Sequence, residues 1–146
     1  MILGRLNHVG IATPSLADSI AFYREVMGAA VIRAPFDMAA QGVRVCFVET
    51  PGQGSTAGTQ IELLEPLGAE SPLRGFLARN PAGGQHHLAF EVPDIAAAHV
   101  WFAGQGKRVL GPPRLGAHGT PVFFVHPGDM GGVLTEIMES PPEAGH

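Results

Sequence analysis

The chain repeats itself, and no other feature of it constrains the fold as tightly. HVGIATPSLADSIAFY beginning at His8 lies over HLAFEVPDIAAAHVWF beginning at His87. GVRVCFVET from Gly42 lies over GTPVFFVHP from Gly119, and ELLE from Glu62 over EIME from Glu136. The spacing between equivalents shrinks only in segments that read as loops, where diverged copies tolerate length change. With 146 residues and 45% hydrophobic content the chain can bury one sizeable core, so a single domain over residues 1–146 is expected. Within it the repeat gives a first module over about 5–66, a linker helix over about 70–80 and a second module over about 84–139.

Each copy reads as strand, helix and three strands, which predicts an α+β fold of two βαβββ modules forming a curved mixed sheet around a metal site. In the first helix Ser15 is the expected cap, with Asp18 at capping-box distance. Leu16, Ile20, Tyr23 and Met27 form its apolar stripe before Gly28. The second helix is expected to start at Asp94 after Pro93 and to stop around Gly104 to Gly106. Ser71-Pro72 should open the linker helix and Asn80-Pro81 close it. The tail SPPEAGH from Ser140 has no core-forming pattern and is expected to fray.

Composition removes several function classes. A formal charge of -4 with only 9 Lys and Arg leaves no clustered cations for phosphate neutralisation, so no nucleic-acid partner is expected. Cys46 stands alone in an apolar run, which excludes a disulfide framework and a thiol pair for zinc. No apolar run approaches the roughly 20 residues of a membrane span, and no secretory or transit pattern opens the chain. A soluble cytoplasmic protein without a membrane partner is the expectation.

Duplication relates equivalent residues by a pseudo-twofold axis, so an inward side chain in one copy should meet its counterpart from the other. The polar counterparts are His8 with His87, on the first strand of each module, and Glu62 with Glu136, on the last. Two imidazoles and two carboxylates make an N2O2 set suited to Zn, Co, Ni, Fe or Mn. Strand alternation puts His8, Gly10 and Ala12 on one face, and His87, Ala89 and Glu91 on the equivalent face. A single strand histidine is ordinarily a partly buried core residue, and a single strand glutamate a solvated one. Repeat equivalence of all four is what turns the reading to one divalent ion. By parity His86 faces away from His87, and Glu65 and Glu139 face away from the carboxylates and are expected to be exposed. His126 belongs in a turn before Pro127, and His99 on a helix flank.

These motifs resemble the vicinal oxygen chelate superfamily and, within it, the methylmalonyl-CoA epimerase family. The resemblance runs from LNHVGIATP at Leu6 through QGVRVCFVE, IELLEPLGAESPLRGFL, GGQHHLAFEV and LGAHGTPVFFVHP to GGVLTEIME ending at Glu139. IELLEP with its following SP, GAHG and HP are the more specific to the epimerases. The resemblance implies His8, His87 and Glu136 as metal ligands, with Glu62 at a fourth position where some members carry Gln. It also implies cobalt as the ion, with Zn, Ni, Mn or Fe as substitutes. Two departures stand out. Gly128 occupies the place after His-Pro where the family commonly has Lys, and Val45 a place where some members carry a carboxylate base.

The implied reaction interconverts the 2R and 2S forms of methylmalonyl-CoA by proton transfer through a metal-stabilised enediolate, with Glu136 and Glu62 as the acid–base candidates. The partner is then a small acyl-CoA, and a homodimer is the expected assembly. Glyoxalase I, which isomerises a glutathione hemithioacetal at a similar His/Glu set, is the rival enzyme. A non-catalytic resistance protein of the same fold, sequestering a ligand, is the rival from another class; such proteins generally lack the four ligands.

Overall fold

Each copy of the repeat folds as a strand, a helix and three further strands in the computed structural model, which describes residues 1–142. The first copy comprises β1 (Leu6–Ala12), α1 (Leu16–Glu25), β2 (Phe36–Met38), β3 (Val43–Val48) and β4 (Gln60–Pro66). A linker helix, α2 (Leu73–Arg79), leads to β5 (Gly84–Val92), α3 (Ile95–Gly104), β6 (Arg114–Leu115), β7 (Pro121–Val125) and β8 (Thr135–Glu139). Strands run in the order β2-β3-β4-β1 in the first copy and β5-β8-β7-β6 in the second. In both, the first strand pairs parallel with the last and the remaining pairs are antiparallel. The α+β class and the duplicated module are those the repeat predicts.

The chain forms two compact units, one of His8–His86 and the other joining Met1–Asn7 to the chain from His87 onward. The first few residues of the expected first module thus lie with the second copy. The cause is Glu91. Its backbone accepts from the Gly4 N–H (3.0 Å) and donates to the Arg5 carbonyl (3.0 Å), while its carboxylate accepts from Arg5 and Asn7.

Each helix covers one face of its own strands. In the His8–His86 unit, Leu16, Ile20 and Tyr23 of α1 pack on Ile11, Cys46, Val48, Ile61 and Leu63. In the other, Ile95, Ala98 and Phe102 of α3 pack on Val92, Phe123, Val125 and Ile137. Each large apolar side chain so buried contributes about 1.5–3 kcal/mol. Burial also pushes the Cys46 thiol above its usual range, which keeps it an inert core residue. Met27 departs from the predicted stripe: α1 ends at Glu25, and Met27 is 61% exposed. Gly28 (φ 66) and Gly106 (φ 74) take the left-handed conformation expected where each helix stops.

The N-termini of the helices are built alike. Ser15 accepts from the Asp18 N–H and Asp94 from the Ala97 N–H, as predicted. A carboxylate from the last strand of the copy also reaches each helix. The Leu16 N–H donates to Glu65 Oε1 (2.9 Å), and the Ile95 N–H donates to Glu139 Oε1 (3.3 Å). Parity had directed these two glutamates away from the site correctly, but they are half-buried helix caps rather than exposed side chains, because the helix start lies over that end of the last strand. In the linker, Pro72 (φ -64) precedes α2 and the Ser71 hydroxyl accepts from the Leu73 N–H, while Asn80 caps the other end. Of the tail expected to fray, Ser140 is tied to the Val92 carbonyl (2.9 Å) and residues 143–146 lie outside the described residues. Among the described residues no helix is long and apolar enough to cross a membrane.

Asp94→Ala should cost about 1 kcal/mol in urea unfolding at unchanged m-value, and Glu139→Ala a similar amount. Loss of both should exceed either alone, since they serve different N–H groups of one helix.

Candidate functional site

Both units present the same three side chains on the face turned away from their helix. On β1, His8, Gly10 and Ala12 are buried, and parallel pairing sets Gly10 opposite Glu62 of β4. Antiparallel pairing sets Phe47 of β3 opposite Glu62 from the other side. His8 Nε2 lies 3.7 Å from Glu62 Oε1, and the His8 ring meets Phe47 edge-on with centroids 6.2 Å apart. The second unit copies this arrangement. Ala89 of β5 and Phe124 of β7 flank Glu136 of β8, His87 Nε2 lies 3.4 Å from Glu136 Oε1, and the His87 ring meets Phe124 edge-on at 5.4 Å.

The donors fit a divalent ion. Ligand atoms at about 2.0–2.2 Å from a metal stand about 3–3.6 Å from one another for octahedral to tetrahedral angles. The separations of 3.7 and 3.4 Å within the two pairs are of that size and longer than a direct N–H···O bond. Of the four predicted ligands, His8, His87 and Glu136 are buried and offer ligand atoms within 4.8 Å of one another, a group that could hold a metal ion, while Glu62 is buried beside His8 and is not part of that group.

Three further histidines serve other ends. His86 packs edge-on against Phe76 of α2 at 5.1 Å. His99 shares a hydrogen bond with the Gly111 carbonyl (3.2 Å) and meets Phe123 edge-on. His126 sits in the turn before Pro127, its Nδ1 accepting from the Gly128 N–H at 2.9 Å.

Two carboxylates were not among the predicted site residues. Glu91 is buried on the face of β5 that carries His87, accepting from Arg5 Nη1 (3.0 Å) and Asn7 Nδ2 (2.8 Å). Parity marks that face, whereas its partners come from a remote part of the sequence. Glu49 follows β3, and its Oε1 accepts from Gln60 Nε2 (2.7 Å) and Arg33 Nε (3.2 Å). Only the strand register reveals it as a neighbour of the His8–Glu62 pair.

The family model described as Glyoxalase/Bleomycin resistance protein/Dioxygenase superfamily matches residues 7–124. Among curated proteins, the chain is 50% identical over 138 residues to the ethylmalonyl-CoA/methylmalonyl-CoA epimerase of Cereibacter sphaeroides, covering 93% of this chain and 98% of that one. It is 45% identical over 139 residues to the mitochondrial methylmalonyl-CoA epimerase of Homo sapiens, covering 94% of this chain and 75% of that one. Among solved structures, a variant of the Streptomyces coelicolor methylmalonyl-CoA epimerase in complex with 2-nitronate-propionyl-CoA superposes with a TM-score of 0.87 at 34% identity, covering 97% of this chain and 100% of that one.

At the turn after β7, Arg108 donates through its backbone N–H and its Nε to Asp129 Oδ2, both at 2.9 Å. The guanidinium bond, then the backbone bond, hold the Asp129 carboxyl at about 2, against an ordinary 3.8. A folded-state value below the unfolded one means that the contribution of this pair is fully present above the unfolded value and fades as pH falls through the folded one. The stability difference between wild type and Asp129→Asn should therefore be constant at neutral pH and shrink as pH falls from about 4 towards about 2. Urea unfolding at stepped pH measures it; a difference that does not change over that window would exclude the pair as its source.

Proposed function

The chain belongs to the glyoxalase/bleomycin resistance protein/dioxygenase superfamily, and from that membership we propose that it interconverts the 2R and 2S epimers of methylmalonyl-CoA. The observation that carries this reading is the pair of equivalent, buried His–Glu sets in a chain whose relatives are named as epimerases of this substrate. The protein is accordingly an isomerase with a small acyl-CoA as its partner.

The hydrogen to be moved lies on C2, between a thioester and a carboxylate. Breaking that C–H bond sends an electron pair towards the thioester oxygen, and the difficulty of the reaction is the charge that gathers there. His8 and Glu62 from one unit, with His87 and Glu136 from the other, are the residues proposed to hold one divalent cation. Such a cation supplies a Lewis acid for that charge and a template for the thioester and carboxylate oxygens. The two histidines give neutral nitrogen donors, and Phe47 and Phe124 hold their rings by edge contact while keeping the donors dry.

Glu136 is proposed to carry the proton on one face of C2, since a carboxylate has a second oxygen left after ligation. Glu62 stands at a position where some members of the family it resembles have Gln. Its part is therefore ligation, for which an amide oxygen suffices.

The purified protein should bind about one divalent ion per chain, and strong chelators should abolish turnover. His87→Ala should lose the ion and His86→Ala keep it, because their side chains leave opposite faces of β5. Incubating one epimer of methylmalonyl-CoA with the cobalt-loaded protein in heavy water should exchange the C2 hydrogen and scramble the stereocentre. Glu136→Gln should lose about 100-fold or more in turnover while retaining most metal affinity, and Glu62→Gln should keep substantial activity. Isomerisation of a glutathione hemithioacetal with no action on methylmalonyl-CoA would replace this reading with a glyoxalase one.

A further inference from the structure

The second unit carries a hydroxyl that nothing in it answers. Thr120 is 7% exposed, and its Oγ1 has no hydrogen-bond partner among the described residues. A buried hydroxyl left unbonded is unfavourable, and it marks a place where a group from outside the fold can bond. On the neighbouring strand Arg114 is exposed, and its guanidinium has neither a hydrogen bond nor an ion pair among the described residues. Arg5 and Arg108 of the same unit are by contrast held by Glu91 and Asp129. We propose that Thr120 and Arg114 form a subsite for the phosphopantetheine arm of an acyl-CoA, the hydroxyl bonding an amide of the arm and the guanidinium its phosphates; the inference rests on the epimerase reading above.

Strand register puts both residues on the face that carries Glu136. Phe123 and Val125 of β7 pack under α3, so Val122 and Phe124 take the opposite face. There Val122 packs on Ala89 and Met138, and Phe124 pairs with Glu136. Arg114 pairs with Val122 and shares its face. The ladder continues one step further, where the Gly116 N–H donates to the Thr120 carbonyl (2.9 Å) and sets Gly116 opposite Thr120. Two residues before Val122, Thr120 belongs to the same face. Gly116 also explains why the hydroxyl is unanswered. A cross-strand neighbour would ordinarily supply a partner, but a Cβ at 116 would stand 2.7 Å from Val122 Cγ1, so packing keeps that position without a side chain.

Distance and charge select the ligand. Thr120 stands four residues before Phe124, the partner of Glu136, which is roughly 13 Å along the strand. Arg114 lies two strands from Glu136 and two residues along, roughly 12 Å between backbones. An acyl group processed at Glu136 ends well short of either. What continues past the thioester of an acyl-CoA is its arm, with two amides first and phosphates after them. An amide can pair with a hydroxyl as donor or acceptor, and a phosphate takes a guanidinium through parallel N–H···O bonds. Glu91, also on that face, is already held by Arg5 and Asn7.

The competing reading is an arginine that keeps an edge strand from pairing with other chains, beside a hydroxyl served by water. A truncated substrate separates the two, since methylmalonyl-pantetheine keeps both amides and lacks every phosphate. With cobalt-loaded protein, Arg114→Ala should raise KM for methylmalonyl-CoA about tenfold and leave KM for methylmalonyl-pantetheine within about twofold of wild type. Arg114→Lys, which keeps the charge and loses the paired bonds, should recover part of the loss. Lys107→Ala removes a charge that follows α3 and should leave both KM values within about twofold. Thr120→Val should raise KM about fivefold for both thioesters, with kcat held and a urea midpoint no lower than that of wild type. Equal KM shifts of Arg114→Ala on the two thioesters, no shift on either, or a Lys107→Ala effect of the same size would overturn the phosphate contact. A Thr120→Val variant that unfolds at lower urea with unchanged KM would overturn the amide contact. A wild-type protein that binds cobalt and epimerises neither thioester would instead remove the epimerase reading, and this inference with it.

Discussion

The parallel pairing of the first and last strand in each unit is the constraint from which the site follows. Where these strands run side by side, the residue two places after the histidine lies opposite the glutamate: Gly10 opposite Glu62, Ala89 opposite Glu136. Because those two residues are small, the longer side chains on either side can lean together over them. A slip of one residue would turn His8 or His87 into the helix-packed face and an apolar side chain into the site. What prevents it is the opposite face, where Ile11 and Leu63, or Val92 and Ile137, are held under a helix. The hydrophobic core thus fixes the chemistry at one remove, through register.

Much of this was legible because a repeat provides an internal comparison. Alternation along HVGIA and HHLAFEV assigned faces, and caps at Ser15 and Asp94 started the helices where they start. The misreadings share one cause. Met27 continues a helical spacing in sequence, but Gly28 follows and the last turn ends early, so the spacing persists where the helix does not. Glu65 and Glu139 were assigned the correct face and the wrong environment, since parity says which way a side chain leaves a strand and nothing about what stands there. Likewise the attachment of the N-terminal residues to the second copy depends on Glu91 and its partners Arg5 and Asn7, which are remote in sequence.

The candidate site divides along the same line. His8, Glu62, His87 and Glu136 could be named from equivalence alone, because each has a counterpart of the same type in the other copy. The two phenylalanines at their sides, Phe47 and Phe124, are also counterparts, yet an aromatic in an apolar strand carries no polar signal. Glu49 has none of this help: its equivalent in the second copy is His126, which closes a turn. Duplication finds what the two copies kept in common, and it is blind to whatever makes them different.

The departure at Gly128 shows how such a difference is accommodated by packing. A lysine is common at that place in the family that the sequence resembles, but a Cβ there would stand 2.6 Å from Arg108 Nη2 and 3.1 Å from His126 Nδ1. The first neighbour is the end of an exposed, flexible side chain, and the second is a ring nitrogen that accepts from the backbone N–H of residue 128. A side chain at 128 would shift the Arg108 Nη2 end of a guanidinium that bonds Asp129, which also receives the Arg108 backbone N–H. Glycine here is therefore coupled to the Arg108–Asp129 pair. The positive charge that a lysine would bring is not missing from this corner; a guanidinium arriving from the other side of the turn occupies the space and is already neutralised by the carboxylate beside it.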